Sequence, residues 1–192
     1  MPDINWVAES VKGLDPISVG KFLVYGSYND KPRKLHLIRI QVDAGEAFGT
    51  GHHATTKGCL LALSSLKRPA NNIRMLDLGC GAGILAIAGA KLWKIKPVAS
   101  DIDFTAVKVA TKNIRTNKLH KSIRCLASNG FDSVYIKKRG PFNLIVANIL
   151  SGPLQHLAKP MRANSAPGAT IILSGILDRQ SPGVISIYRL QG

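Results

Sequence analysis

The chain has 192 residues, of which 45% are hydrophobic and 19% are charged. This length and composition suit one globular domain with a substantial core, and they exclude an intrinsically disordered chain, a collagen-like fibre and a small disulfide-bonded scaffold. We expect no contact with a membrane, because no apolar run reaches the roughly 18 residues of a spanning helix and the first residues lack the apolar core of a signal peptide.

Positive charge is the most unusual feature of the composition. Lys and Arg number 26 against 11 Asp and Glu, which gives a formal net charge of +15. Residues 104–192 contain 13 Lys and Arg but only two acids, Asp132 and Asp178. Such a surface attracts polyanions, so one interpretation is a phosphate-rich partner such as RNA or a ribosome, and the other is a solvated basic face. No RNA-binding signature with interleaved aromatic residues accompanies the charge, so any RNA contact is expected to be non-specific.

The three cysteines, Cys59, Cys80 and Cys125, are odd in number and widely spaced. This pattern matches neither a disulfide framework nor the spacing of metal ligands. It indicates a reducing, cytoplasmic location, and no metal site is predicted.

The first third of the chain is predicted to contain one strand and the start of one helix. Residues 1–33 have loosely spaced apolar positions and two turn signals, and we interpret them as a linker or amphipathic lead-in to a domain over 34–192. Residues 35–42 alternate in hydrophobicity, which predicts a strand. Residues 43–56 are predicted to form a Gly- and His-containing loop that ends in Thr55 and Thr56, which can cap a helix running to about residue 66.

From residue 73 onward, strand and helix patterns alternate. Strands are predicted over 73–78, 97–100, 123–127, 142–147 and 169–174, and helices over 84–93, 104–117 and 154–161. Because the strands are apolar on both faces, the sequence predicts an α/β fold with a doubly wound, mostly parallel sheet.

A Gly-rich segment, DLGCGAG over residues 77–83, directly follows a predicted strand and precedes a helix. Glycines permit a tight turn and let a ligand approach the backbone, and the helix N-terminus adds unpaired N–H groups. A dinucleotide fingerprint would place its third glycine at position 84, but Ile84 stands there and the third glycine is Gly83. The pattern acid-x-Gly-x-Gly-x-Gly is similar to the first motif of class I S-adenosylmethionine-dependent methyltransferases.

Two further strand ends have polar residues of interest. Asp101 ends the second of these strands, 22 residues after Gly79, where a carboxylate can accept hydrogen bonds from ribose hydroxyls. Asp103 is a competing candidate, although its position favours a helix N-cap. Asn148 follows the strand over 142–147. Its amide could hold the nitrogen that accepts a methyl group, or it could be a turn residue.

Taken together, these segments closely resemble the bacterial ribosomal protein L11 methyltransferase family. The resemblance spans residues 5 to about 177 and rests on AFGTGHHATT (47–56), DLGCGAGILAIAGAKL (77–92), SDID (100–103) and ANILSGPL (147–154). It implies a Rossmann-like fold and S-adenosyl-L-methionine as cofactor, contacted by Thr56, Gly79, Asp101 and Asn148. His52 and Ala54 stand where the family commonly has Thr and Pro.

The resemblance also implies that the chain lacks parts of the family pattern. Family members have a separate N-terminal recognition domain, and their chains continue with further strands, one of them antiparallel. We therefore expect a catalytic domain that is truncated at both ends, with the C-terminal strands missing. The strand over 169–174 would then become a sheet edge that can pair between molecules.

The function implied by the resemblance is methylation of α-amino and lysine nitrogens of a large-subunit ribosomal protein. Asn148 is the candidate catalytic residue, because its side-chain oxygen can accept an amine N–H and aim the nitrogen lone pair at the methyl group. One alternative is an RNA methyltransferase, which the positive charge favours, but the Pro-Pro-aromatic sequence that usually follows the Asn in base methylation is missing. The other is a non-catalytic remnant that only binds cofactor.

Four other side chains in these motifs have less certain roles. His52 and His53 could act as a base or touch substrate, although polar residues of a loop are the simpler interpretation. Phe48 could pack on the cofactor or on the core. Cys80 is expected to be a small structural residue and not a nucleophile.

Overall fold

The computed structural model of the chain describes residues 15–27, 29, 36–43, 54–67 and 73–192, which form two sheets and six α-helices. The small sheet contains β1 (Ile17–Val19), β2 (Phe22–Tyr25) and β3 (Ile38–Gln41). The large sheet contains β4 (Met75–Leu78), β5 (Val98–Asp101), β6 (Arg124–Ala127), β7 (Phe142–Asn148) and β8 (Ser165–Ser174). The helices are α1 (Ala54–Ser65), α2 (Ile84–Trp93), α3 (Phe104–Thr116), α4 (Val134–Arg139), α5 (Ser151–Ala163) and α6 (Ser181–Arg189).

The large sheet is parallel throughout and has the strand order β6-β5-β4-β7-β8. The chain therefore builds outward from β4 to β6, crosses back to β7 beside β4, and builds outward again to β8. This reversal confirms the predicted doubly wound α/β fold. It also creates a crevice at the carboxyl ends of β4 and β7, which is where open α/β sheets bind ligands.

The core lies on both faces of this sheet, which explains why its strands are apolar at successive positions. One face buries Met75, Leu144 and Val146 together with side chains of α1, α2, α3 and the small sheet. The other face buries Leu76 and Ile145 with side chains of α4 and α5. β8 and β6 are the two edge strands of this sheet, and most residues of β8 are partly exposed.

The segment interpreted as a lead-in differs from that expectation where the structure describes it. Residues 17–25 form β1 and β2, which pair antiparallel, and β2 pairs in parallel with β3. Phe22, Leu23 and Val24 are fully or almost fully buried. Phe22 and Val24 belong to the same apolar cluster as α1 and α2. These residues are therefore part of the domain core, because three successive apolar side chains are stabilised by burial and not by local pattern.

Four helix assignments also need correction. The proposed cap at Thr55 and Thr56 is wrong, because α1 begins at Ala54 and both threonines lie inside it. α5 begins three residues before the predicted helix over 154–161. α4 and α6 were not predicted. Within the described ranges, no helix is both long and apolar enough to cross a membrane.

Candidate functional site

The Gly-rich turn between β4 and α2 brings backbone close to the neighbouring strands. Gly79, Gly81 and Gly83 all have positive φ values, of +70°, +50° and +80°, which glycine adopts without strain. The N–H groups of Gly79 and Cys80 both donate to the carbonyl of Ser100 at the end of β5, at 2.8 and 2.9 Å. A Cβ on Gly79 would come within 2.2 Å of a methyl carbon of Ile149, so a side chain there would force the turn or Ile149 to move.

Asp77 lies in β4 directly before this turn and is fully buried. Its Oδ2 accepts from the Ala86 N–H in the first turn of α2 at 2.8 Å. Its Oδ1 has no partner among the described residues. Burial raises the pKa of Asp77 from 3.8 to about 7, an effect that the Ala86 hydrogen bond reduces and the nearby charge of Asp101 adds to.

Asp101 links the turn to the end of β5. Its Oδ2 accepts from the Gly81 N–H at 2.8 Å, and its Oδ1 accepts from the Asp103 N–H at 3.0 Å. An ionised carboxylate can accept about four hydrogen bonds, so it keeps capacity for ligand hydroxyls. Asp103 is instead the N-cap of α3, where its Oδ1 accepts from Thr105 N–H at 2.8 Å. The structure thus agrees with the N-cap interpretation of Asp103.

Asn148 ends β7 and contacts α1 across the sheet. Its Nδ2 donates to the Thr56 hydroxyl oxygen at 3.2 Å. Thr56 is fully buried. The Oδ1 of Asn148 is also buried and has no partner among the described residues. An unpaired buried amide oxygen costs free energy, so a ligand N–H or O–H group that reaches it would gain a hydrogen bond.

These strand ends line a cleft of about 560 Å³. Gly79, Asp101 and Asn148 line it together, whereas Thr56 lies beneath Asn148 and outside the lining. The structure therefore brings three of the four predicted site residues to one cavity and places the fourth behind one of them. Their contacts with a ligand stay predictions.

Sequence reasoning missed several residues of the cleft. Ile102 and Leu150 are both 73% exposed and offer apolar surface at its mouth, and Leu157 of α5 adds to it. Ser128, Asn129 and Gly130 follow β6, and Gly175 follows β8. All of these residues except Leu157 share a signal that was available, because they lie within about three residues of the end of a predicted parallel strand and strand ends meet at one sheet edge.

Cys80 lies beside the cleft but does not line it, since only its glycine neighbours do. A hydrogen bond to Cys125, together with burial, raises the pKa of the Cys80 thiol well above its ordinary value. The same hydrogen bond lowers the pKa of Cys125. A neutral buried thiol is a poor nucleophile, in line with the structural role expected for Cys80.

The remaining candidates lie outside the described residues, namely Phe48, His52 and His53. Among the residues that are described, no group of three or more His, Cys, Asp or Glu side chains could hold a metal ion.

Comparison with known proteins gives consistent matches over the whole chain. The model of the family "Ribosomal protein L11 methyltransferase (PrmA)" matches residues 1–192. Proteins named ribosomal protein L11 methyltransferase are 47% identical over 188 residues in Mesorhizobium japonicum and 44% identical over 188 residues in Bradyrhizobium diazoefficiens. These alignments cover 98% of this chain but 65% and 64% of those proteins, so the chain spans slightly less than two thirds of their length.

A solved structure is also similar. The ribosomal protein L11 methylase of Lactobacillus delbrueckii subsp. bulgaricus superimposes with a TM-score of 0.81 at 28% sequence identity. The superposition covers 93% of this chain and 89% of that one.

Proposed function

The chain belongs to the ribosomal protein L11 methyltransferase family, and on that premise we propose that it transfers methyl groups from S-adenosyl-L-methionine to a large-subunit ribosomal protein. The acceptors would be α-amino and lysine nitrogens. The observation that carries the proposal is that Asn148, whose amide oxygen has no partner among the described residues, lines the same cleft as the Gly-rich turn and Asp101.

The cleft fits the proposed cofactor in three respects. Gly79 and Gly81 present backbone at its wall without side chains. Asp101 offers free acceptor capacity for ribose hydroxyls, and Ile102 and Leu157 offer apolar surface for a ring. Gly79 and Asp101 would therefore hold the cofactor directly, whereas Thr56 would act by holding Asn148 in place.

The bound cofactor would supply a methyl group on a positively charged sulfur. The protein has to hold an uncharged amine in line with that group, because a protonated amine has no lone pair to attack with. Unperturbed α-amino groups have a pKa of about 8 and lysines of about 10.4, so the acceptor must lose a proton first. A dry environment near positive charge lowers both values. Asn148 Oδ1 would then accept one amine N–H and orient the lone pair.

Asn148 orients the amine without being a base, because a neutral amide oxygen does not take up a proton at physiological pH. The proton would therefore leave to solvent as the amine enters the cleft, where its pKa is lowered. This assignment predicts that methyl transfer rises with pH until the acceptor amine is largely deprotonated.

The domain organisation of the chain, its cellular location and its contact with RNA are also proposals. We propose that residues 34–192 act as the catalytic domain together with β1 and β2, which share its core. A cytoplasmic location is supported by the three cysteines, which are all free thiols. The net charge of +15 supports a non-specific contact with RNA, such as that of the ribosome.

The test is to offer several acceptors side by side. The 192-residue chain is incubated with S-adenosylmethionine labelled in its methyl group and with purified ribosomal protein L11, other ribosomal proteins or ribosomal RNA. We expect label in L11, on α-amino and lysine nitrogens identified by peptide mass spectrometry. Label confined to RNA would contradict the protein substrate, and cofactor binding without any transfer would contradict the activity of this chain.

A further inference from the structure

A basic groove lies at the opposite end of the large sheet from the ligand cleft. Its cavity measures about 270 Å³ and is lined by residues that precede β5 and β6 and by residues of α4. The side chains of interest are Lys96, His120, Lys121, Arg124, Tyr135 and Arg139. All six are exposed.

Positively charged side chains dominate the lining of the groove. Among the residues that the structure describes, no carboxylate lines it, although four of its side chains are Lys or Arg. None of these four cations forms an ion pair with a carboxylate of the described residues. Four like charges around one small cavity repel one another, so the arrangement favours a ligand with several negative charges.

An aromatic ring stands among these cations. Tyr135 is 40% exposed, and the guanidinium of Arg124 lies over its ring at 5.7 Å from the centroid. Cations that contact phosphates, next to an exposed aromatic side chain on which a base can stack, are the combination that binds single-stranded nucleic acid. An acidic protein segment would use the charges but has no base to stack on the ring.

We propose that this groove binds single-stranded RNA, with Lys96, Lys121, Arg124 and Arg139 contacting phosphates and Tyr135 stacking on a base. The groove lies at the amino ends of β5 and β6, whereas the cleft lies at the carboxyl ends of the strands, about 13 Å away along β5. RNA bound in the groove would therefore not have to occupy the cleft. It would act as an anchor beside the proposed substrate, which is a protein of an RNA-rich particle.

The test compares two variants of the chain that lose the same charge at different places. The groove variant carries Lys121→Ala, Arg124→Ala and Arg139→Ala. The control variant carries Lys159→Ala, Arg179→Ala and Arg189→Ala, which are exposed residues on the α5 and α6 side of the opposite sheet edge. Circular dichroism checks that both are folded, and fluorescence anisotropy measures binding of a labelled 12-nucleotide RNA from 50 to 200 mM salt.

We expect the groove variant to bind RNA at least about tenfold more weakly than the control variant at 100 mM salt. The negative slope of log K against log salt should become shallower by about 2, because three phosphate contacts are lost at about 0.7 each. Tyr135→Ala should weaken binding about fivefold or more, whereas Tyr135→Phe should retain it.

Three results would overturn the proposal. Equal losses in the groove and control variants would mean that only the overall charge attracts RNA. Equally tight binding of poly-glutamate would assign the groove to an acidic protein. Displacement of bound S-adenosylhomocysteine by the RNA would place the RNA in the cleft instead of the groove. None of these readouts depends on methyl transfer, so they are independent of the proposed activity.

Discussion

The Nδ2 of Asn148 donates a hydrogen bond of 3.2 Å to the hydroxyl of Thr56, a residue 92 positions earlier in the chain. This bond fixes which end of the Asn148 amide faces the helix and leaves its oxygen without a partner. The proposed role of Asn148 in holding an amine depends on this orientation.

Thr56→Val should lower methyl transfer about tenfold or more, because the amide of Asn148 loses its partner and its orientation. Thr56→Ser keeps the hydroxyl and should stay within about twofold of wild type. In an Asn148→Ala background, Thr56→Val should have little further effect, since residues that act as one unit are not additive. If Thr56→Val still weakened S-adenosylhomocysteine binding in that background, Thr56 would contact the cofactor directly.

Asp101→Ala should weaken S-adenosylmethionine binding by about 1.5–3 kcal/mol, the range for a hydrogen bond to a charged group. Isothermal titration calorimetry measures this directly. Asp103→Ala is the matched control, because Asp103 caps α3 outside the cleft lining. Asp103→Ala should cost about 1 kcal/mol of stability and leave affinity within about twofold. An unchanged affinity in Asp101→Ala, with a loss in Asp103→Ala, would reverse the two assignments.

Gly79→Ala should destabilise the fold by about 1–2 kcal/mol, because φ is +70° and the new Cβ would meet Ile149. The turn that lines the cleft must then shift, so binding of S-adenosylhomocysteine should weaken as well. Gly152→Ala, in the first turn of α5, meets nothing within 4 Å and serves as the control for a Gly-to-Ala change. Thermal denaturation measures the stability of both variants, and calorimetry measures their affinity for S-adenosylhomocysteine. The comparison separates a local effect on the cleft from the general effect of replacing a glycine by alanine. Undiminished binding by Gly79→Ala would show that the turn is not part of the ligand site.

The buried carboxyl of Asp77 should make the protein more stable at mildly acidic than at alkaline pH. Its pKa is raised from 3.8 to about 7 in the folded chain, so between these values the folded state holds more protons than the unfolded state. The stability that this raised pKa contributes is fully present below pH 3.8 and is lost as pH rises through about 7. Asp77→Asn keeps an acceptor oxygen for Ala86 without a charge, so its stability relative to wild type should increase from pH 5 to pH 8.5. Urea unfolding at a series of pH values measures this difference, and a difference that stays constant with pH would contradict the raised pKa.

Much of the large sheet followed from local sequence. α2 begins and ends at the predicted residues 84 and 93, because Gly83 precedes a run that is small or apolar except for Lys91, and Lys94 ends the helix in a left-handed conformation. Gly79, Asp101 and Asn148 each follow or end a predicted parallel strand, and parallel strands bring such ends together. The topology alone therefore placed three site residues at one edge.

Other features depend on contacts that no local pattern reveals. α6 begins with Ser181 and Pro182, which resemble a turn, but it is held by Val184 and by the Tyr188 hydroxyl, which donates to the Leu154 carbonyl at 2.9 Å. β2 is a short apolar run that becomes a strand only by pairing with β1 and β3. The contact between Thr56 and Asn148 requires α1 to pack across the sheet, which spacing in the sequence does not predict.

The most direct test of the account is single-turnover transfer of a labelled methyl group from S-adenosylmethionine to ribosomal protein L11 by wild type and Asn148→Ala. Asn143→Ala is the matched control, because Asn143 lies on the same strand but accepts from the Arg74 N–H at the other end of the sheet. We expect Asn148→Ala to lower the rate at least about 100-fold while its thermal midpoint stays within a few degrees, since positioning is lost and the fold is kept. Asn143→Ala should keep the rate. A rate near wild type in Asn148→Ala would contradict the proposed mechanism.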